Sequence, residues 1–263
     1  MNTITRHNLK DITFIIPLRI DCKERKENLE IVVSYLLKHY ETNIMVLEAD
    51  NEEKIKLPDH VNKVFIRDND PVFHHSRYRN YMIKRSATPF ISLWDADTIA
   101  PTDQVLQACE MLRSNETDFV FPFDGRYYQT HTIFKSLYRE IMDVEVLKFN
   151  IGKMYLMYGS HFIGGAIMMD RKKYCDAGME NENFYGWSPE DYERIIRCQI
   201  LGYRVTWIEG PLFHLYHPRG KNSWFYSNET NIRARKEFLK ICRMSQKELK
   251  KYVSGDDWAA NKP

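Results

Sequence analysis

Through the first half of the chain, short apolar runs alternate with amphipathic stretches. Residues 13–18 (TFIIPL) form a nearly continuous apolar run, as expected for a strand buried on both faces. Between 28 and 40, Leu29, Val32, Val33, Leu36 and Leu37 recur on one helical face, which predicts an amphipathic helix. Strands are expected at 43–49 and 61–66 and a helix at 73–86. The clearest strand, 89–94 (PFISLW), stops abruptly at Asp95-Ala96-Asp97. A helix over 102–113 and a strand over 118–122 continue the rhythm. Strands alternating with helices predict an α/β fold with a mostly parallel, doubly wound sheet flanked by helices.

After Asp124 the rhythm breaks. Residues 131–149 read as one longer helix, with Ile133, Phe134, Leu137, Ile141 and Val144 at helical spacing. Gly164-Gly165 precedes an apolar run at 166–169. Ser188-Pro189 opens a helix that runs to about Leu201, with Gly202 just past its end. A strand at 203–208 leads to a His-rich loop over 213–220. Between 233 and 251 the chain carries eight Lys or Arg against Glu237 and Glu248, a basic helical tail. The expected division is one domain over 1–228 and a tail over 229–263. Within the domain, the break after Asp124 separates a first half, 1–124, from a second, 125–228.

Composition narrows the function classes. A chain of 263 residues can bury a large core without disulfide or metal staples. With 38 basic against 36 acidic residues it lacks the basic excess of a general nucleic-acid binder. Its 43% hydrophobic and 13% aromatic content excludes intrinsic disorder. No apolar run approaches the roughly 18 residues of a membrane span. The opening MNTITRHNLK is polar, so no signal peptide is expected. Five cysteines without CxxC spacing read as reduced thiols. These features predict a cytoplasmic protein. The basic tail reads as a solvated face, with peripheral contact to anionic lipid at the inner face of the membrane as the alternative.

Three constellations carry candidate chemistry. Asp95-Ala96-Asp97 is a DxD motif at the end of a buried strand, the edge where parallel α/β sheets bind ligands. Such a pair can hold a hard divalent cation or, more simply, cap the helix that follows. In Phe184-Tyr-Gly-Trp-Ser-Pro-Glu-Asp191, Ser188 and Asp191 have capping-box spacing around Pro189. The box leaves Gly186-Trp187 unexplained, and an aromatic beside paired acids suits stacking a sugar and taking a proton from its hydroxyl. His214 and His217 stand three apart in a loop that ends at Gly220, as metal ligands or as structural imidazoles.

In this order and spacing, over roughly residues 13 to 220, the residues resemble a GT-A fold, family-2-like glycosyltransferase. The C-terminal half is similar to the galactosyltransferase domain shared by β-1,4-galactosyltransferases and polypeptide N-acetylgalactosaminyltransferases. The matching pieces are Ile16-Pro17-Leu18-Arg19, Phe73 to Asn80 (FHHSRYRN), Asp95-Ala96-Asp97, Phe162-Ile-Gly164-Gly165, Gly186 to Asp191 (GWSPED) and the His217 loop. The resemblance implies a metal-dependent transferase that moves a hexose or N-acetylhexosamine from a UDP-sugar to a glycan or lipid-linked glycan, as in polysaccharide biosynthesis. Asp97 and His217 would hold Mn²⁺ or Mg²⁺, with His217 favoured over His214. Pro17, Arg19, Asp50, His75, Arg79, Asp95, Gly164, Gly165 and Trp187 would form the donor site. Asp191 would be the base of an inverting displacement, and Glu190 would bind sugar hydroxyls.

The chain departs from the pattern in places. Ser188-Pro189 replaces two glycines, and His75 stands where an arginine often meets the diphosphate, with Arg77 or Arg79 as substitutes. Residues 126–160 match nothing in the family pattern. The competing enzyme class, a sugar-nucleotide pyrophosphorylase, calls for a Gly-rich phosphate loop after the first strand, whereas 19–25 (RIDCKER) has no glycine. A glycoside hydrolase would work with two carboxylates and no metal. A non-catalytic nucleotide- or carbohydrate-binding module of the same fold is the remaining alternative.

Overall fold

The apolar run at 13–18 lies in the central strand of the computed structural model, which describes residues 6–160, 162–255 and 258. That strand, β1 (His7–Leu18), has Phe14, Ile15 and Ile16 wholly buried. The chain continues through α1 (Lys23–His39), β2 (Tyr40–Asp50), β3 (Asn62–Arg67), α2 (His75–Arg85), β4 (Phe90–Trp94), β5 (Thr98–Ile99), α3 (Thr102–Arg113) and β6 (Phe119–Phe121). Next come β7 (Tyr127–Gln129), α4 (Thr132–Ile141), α5 (Glu145–Phe149), β8 (Tyr155–Tyr158) and β9 (Ala166–Asp170). The last elements are α6 (Arg171–Asp176), α7 (Glu190–Ile200), β10 (Val205–Trp207), β11 (Leu212–His214), α8 (Asn228–Cys242) and α9 (Gln246–Ser254). The polar opening at 1–5 and positions 256, 257 and 259–263 of the expected tail lie outside the described residues.

The main sheet has seven strands in the order β10-β6-β9-β4-β1-β2-β3. Strands β4, β1, β2 and β3 are parallel neighbours, as are β10 and β6. Strand β9 runs antiparallel between β4 and β6. It enters from a second sheet rather than through a crossover helix, so the handed βαβ geometry does not constrain its direction. The second sheet has the order β5-β11-β7-β8 and starts where β4 ends. Helix α1 packs with Leu29, Val32, Val33 and Leu36 buried, the face its periodicity predicted.

The single helix expected over 131–149 is two. Met142 adopts a left-handed conformation (φ 53°) that ends α4, and the Asp143 side chain accepts from Glu145 N at 3.0 Å to start α5. Ile133, Leu137 and Ile141 share one face of α4 as their spacing implies, but that face is exposed. Lys135 and Tyr138 pack inward in their place. The strand expected at 203–208 pairs with β6 only over Val205–Trp207. The tail forms α8 and α9, each opened by a capping box, Ser227 with Thr230 and Ser245 with Glu248. Among the described residues no helix is long and apolar enough to cross a membrane.

Candidate active site

Strand pairing brings the two polar loops together. Asp95-Ala96-Asp97 links β4 to β5, and Trp94 Nε1 donates to Thr98 O at 2.9 Å to close the turn. Strand β11 runs antiparallel to β5 with His214 opposite Thr98, and Leu215 N donates to Asp97 O at 2.7 Å. The His loop is then tied from other sides. Asn28 of α1 donates to Leu215 O (2.8 Å), Lys135 of α4 to Tyr216 O (3.2 Å), and Tyr216 N to Thr130 Oγ1 (3.2 Å). Both loops open into a cavity of about 730 Å³.

Asp97 Oδ2 lies 3.0 Å from His217 Nε2 and 3.8 Å from His214 Nε2, and the three side chains form a cluster able to hold a metal. His217 Nδ1 donates to Pro218 O at 2.8 Å, which turns Nε2 toward Asp97. Burial pushes His214 down to about 4, keeping it neutral, and its Nδ1 is buried without a hydrogen-bond partner. Burial tends to raise the Asp97 carboxyl, but His214, His217 and Arg25 outweigh it and hold it well below the usual carboxylate range. One ionised carboxylate and two imidazole nitrogens turned toward it suit a first-row divalent ion. His214, read from sequence as the structural member of the pair, belongs to the cluster together with His217.

Across the cavity stands the start of α7. The capping box expected between Ser188 and Asp191 does not form. Helix α7 begins at Glu190, with Pro189 as its cap residue, so Asp191 falls one position short of the box. Ser188 instead donates to Glu190 Oε2 through N (3.1 Å) and Oγ (2.9 Å). Asp191 Oδ1 is held by Arg194 at 2.8 Å, one turn along, and by Arg79 at 3.5 Å. Arg194 grips Glu180 in a two-pronged pair (2.7 and 2.9 Å), and Arg79 also reaches Asp95 Oδ1 at 3.2 Å. With Oδ1 committed, Asp191 Oδ2 faces Gly164, where a Cβ would stand 3.2 Å away and would also meet the Phe162 ring at 2.6 Å. Glycine therefore keeps that oxygen clear. Gly165 adopts φ +88° and passes its carbonyl to Asp95 N at 2.8 Å.

Burial, with the nearby Asp191 charge second, raises Glu190 to about 8. An unfolded glutamate ionises near pH 4.3. The native protein keeps its proton up to about 8, so stability falls as pH rises through that window and levels off above it. Glu190→Gln removes this titration. Melted in EDTA at pH 5 and pH 8, the variant should gain on the parent at the higher pH by at least about 2–4 °C, the shift 1 kcal/mol produces in a chain this size. An unchanged gap would mean that Glu190 is already ionised in the native protein.

Most residues predicted for the donor site border the cavity: Pro17, Arg19, His75, Arg79, Asp95, Gly164, Gly165 and Trp187. Their roles differ from expectation in three places. Arg19 has every guanidinium nitrogen engaged, with Ala49 O, Asp70 O and Asp68, and lies 5.6 Å from the Phe73 ring centroid, so it shapes the wall. Asp50 does not line the cavity. Its carboxylate accepts from Ile20 N, Asn51 N and Lys54 Nζ and so fixes the turn after β1. His75 is held neutral, first by burial and then by Arg79, so it offers no positive charge to a diphosphate. Besides Arg19, the arginines on the lining are Arg25, Arg79, Arg219 and Arg235. Sequence reasoning missed Arg25, Glu180 and Arg194. Of these only Arg194 had a local signal, its position three residues after Asp191 on a helix.

Residues 90–239 match the profile of a family described as glycosyl transferase family group 2. No curated protein matches the chain. Among solved structures, the chain is similar to GalNAc-T7 with UDP, GalNAc and Mn²⁺, at 12% identity over 95% of this chain and 51% of that one, TM-score 0.59. It is also similar to a mutant of Drosophila β1,4-galactosyltransferase 7 with manganese, UDP-Gal and xylobiose, at 14% identity over 91% and 80%, TM-score 0.54. The catalytic domain of the same Drosophila enzyme with xylobiose aligns at 14% identity over 76% and 64%, TM-score 0.47. The chain thus spans about half of GalNAc-T7 and just under two thirds of that catalytic domain. At these identities the likeness is one of fold, the GT-A fold.

Proposed function

The chain belongs to glycosyl transferase family group 2, and from that premise we propose that it transfers a hexose or N-acetylhexosamine from a UDP-sugar to a glycan, with inversion. The observation that carries this reading is the Asp97-His214-His217 cluster and the Asp191 carboxylate opening into one cavity. Two proteins of similar fold were solved with UDP or UDP-Gal and manganese, which supports the choice of nucleotide and ion. In this reading 1–124 supplies most of the nucleotide side and 125–228 the acceptor side and the base.

The reaction forms one bond and breaks one. The acceptor hydroxyl oxygen attacks the anomeric carbon from the face opposite the diphosphate, the bond to the diphosphate oxygen breaks, and UDP leaves. Asp191 Oδ2 takes the hydroxyl proton, because Arg194 and Arg79 fix Oδ1 and turn the other oxygen outward. Protonated Glu190 offers a donor to a sugar oxygen, and Trp187, 42% exposed, offers a flat face for stacking. Asp97, His214 and His217 would hold Mn²⁺, which when bound would offset the negative charge of the departing diphosphate. Arg25 and Arg219 add positive charge on the same side.

A panel of UDP-hexoses and UDP-N-acetylhexosamines, assayed for released UDP with mixed glycan acceptors, tests the reading. One donor should turn over with Mn²⁺ and stop with EDTA. Turnover of no UDP-sugar, or undiminished turnover in EDTA, would overturn it.

A further inference from the structure

The far wall of the cavity does not suit a sugar. It comes from α8, which places Arg235, Phe238 and Leu239 on the lining. Helix α8 packs on the domain through Ala234 and Ile241. On its opposite side Ile232, Arg235 and Leu239, at i, i+3 and i+7, face outward, with Ile232 54% and Leu239 48% exposed, and of the three Arg235 and Leu239 reach the cavity lining. Trp187 joins this wall to the base side through an edge contact with Phe225 at 4.8 Å between ring centroids. Sugar hydroxyls are gripped by carboxylates and amides, which donate or accept in pairs, yet α8 brings neither to the cavity. It brings aliphatic and aromatic surface and one guanidinium. Arg235 bonds only Asn231, and neither Arg235 nor Arg219 forms an ion pair among the described residues.

From this juxtaposition, and resting on the transferase reading above, we infer that the α8 wall binds the non-sugar part of the acceptor. That part is an apolar chain joined to the glycan through a phosphate or diphosphate. Charge complementarity and continuity with the catalytic cavity select this occupant. The guanidinium of Arg235 meets the phosphate, Phe238 and Leu239 cover the first carbons of the chain, and the sugar end reaches Trp187 and Asp191. The preferred acceptor is thus a lipid-linked rather than a free glycan.

The test uses decyl phosphate below its micelle concentration, with decyl glucoside and inorganic phosphate as comparison ligands, titrated calorimetrically into the full chain. UDP with Mn²⁺ is titrated into the same preparations. Decyl phosphate should bind at least tenfold more tightly than either comparison ligand. Arg235→Gln and Leu239→Ser, both at exposed positions, should each weaken it about tenfold or more while UDP affinity stays within about twofold. Decyl glucoside binding equally well would reduce the wall to an unspecific apolar surface. Inorganic phosphate binding equally well would place the anion at the metal cluster. Either result, or insensitivity to both variants, overturns the inference. Loss of UDP binding by the parent protein would instead strike at the transferase reading itself.

Discussion

Asp191→Asn is expected to fold and bind UDP with Mn²⁺ like the parent yet transfer sugar about 10²–10⁴-fold more slowly, the usual worth of a positioned general base. Asparagine keeps an oxygen for Arg194 (2.8 Å) and Arg79 (3.5 Å) while giving up the ability to take a proton. Because the Ser188 cap is not formed with Asp191, the substitution removes no helix cap, and its effect on melting should be small. A second readout comes from Glu190, whose high pKa is upheld by burial and then by the Asp191 charge. Removing that charge should move the pH dependence of stability toward lower pH. Single-turnover transfer with donor already bound gives the decisive rate. A value within a few fold of the parent would make Asp191 a partner of the arginines and not the base.

The second large effect is on the metal. Asp97→Asn leaves two imidazoles beside Arg25, which stands 3.6 Å from the carboxylate it faced, with no anionic ligand to offset that positive charge. Mn²⁺ affinity, read from the free-ion paramagnetic resonance signal, should fall by more than the 10–100-fold typical of losing an outer-shell partner. His214→Ala and His217→Ala should each weaken Mn²⁺ binding by a comparable factor, since both Nε2 atoms face Asp97 Oδ2. A His214→Ala protein that binds Mn²⁺ like the parent would return His214 to a structural role.

The parts legible in the sequence were those written locally. The strand ending at Asp95 and the amphipathic face of α1 follow directly from hydrophobic period, and the parallel block follows from their alternation. The direction of β9 was not legible, because a run buried on both faces reads the same either way. The break at Met142 was also hidden, since no Gly, Asn or Pro marks that left-handed residue. At the site, the acidic pair, the two histidines and the GWSPED segment were each visible as motifs. What assembled them was not, because the β5–β11 pairing and the Glu180–Arg194–Asp191 chain join residues through tertiary contact. Ser188 illustrates the limit of spacing rules. Its position fits a capping box, yet the nearer Glu190 carboxylate captures its hydroxyl first.

If the Asp97 cluster holds the ion that meets the diphosphate, UDP binding should depend on the metal and on Asp97 together. The most direct measurement is calorimetric titration of UDP into the parent and into Asp97→Asn, each with Mn²⁺ and with EDTA. Mn²⁺ should tighten UDP binding to the parent at least tenfold, and this gain should vanish in Asp97→Asn. Equal UDP affinity in Mn²⁺ and EDTA, or a gain that survives in Asp97→Asn, would contradict it.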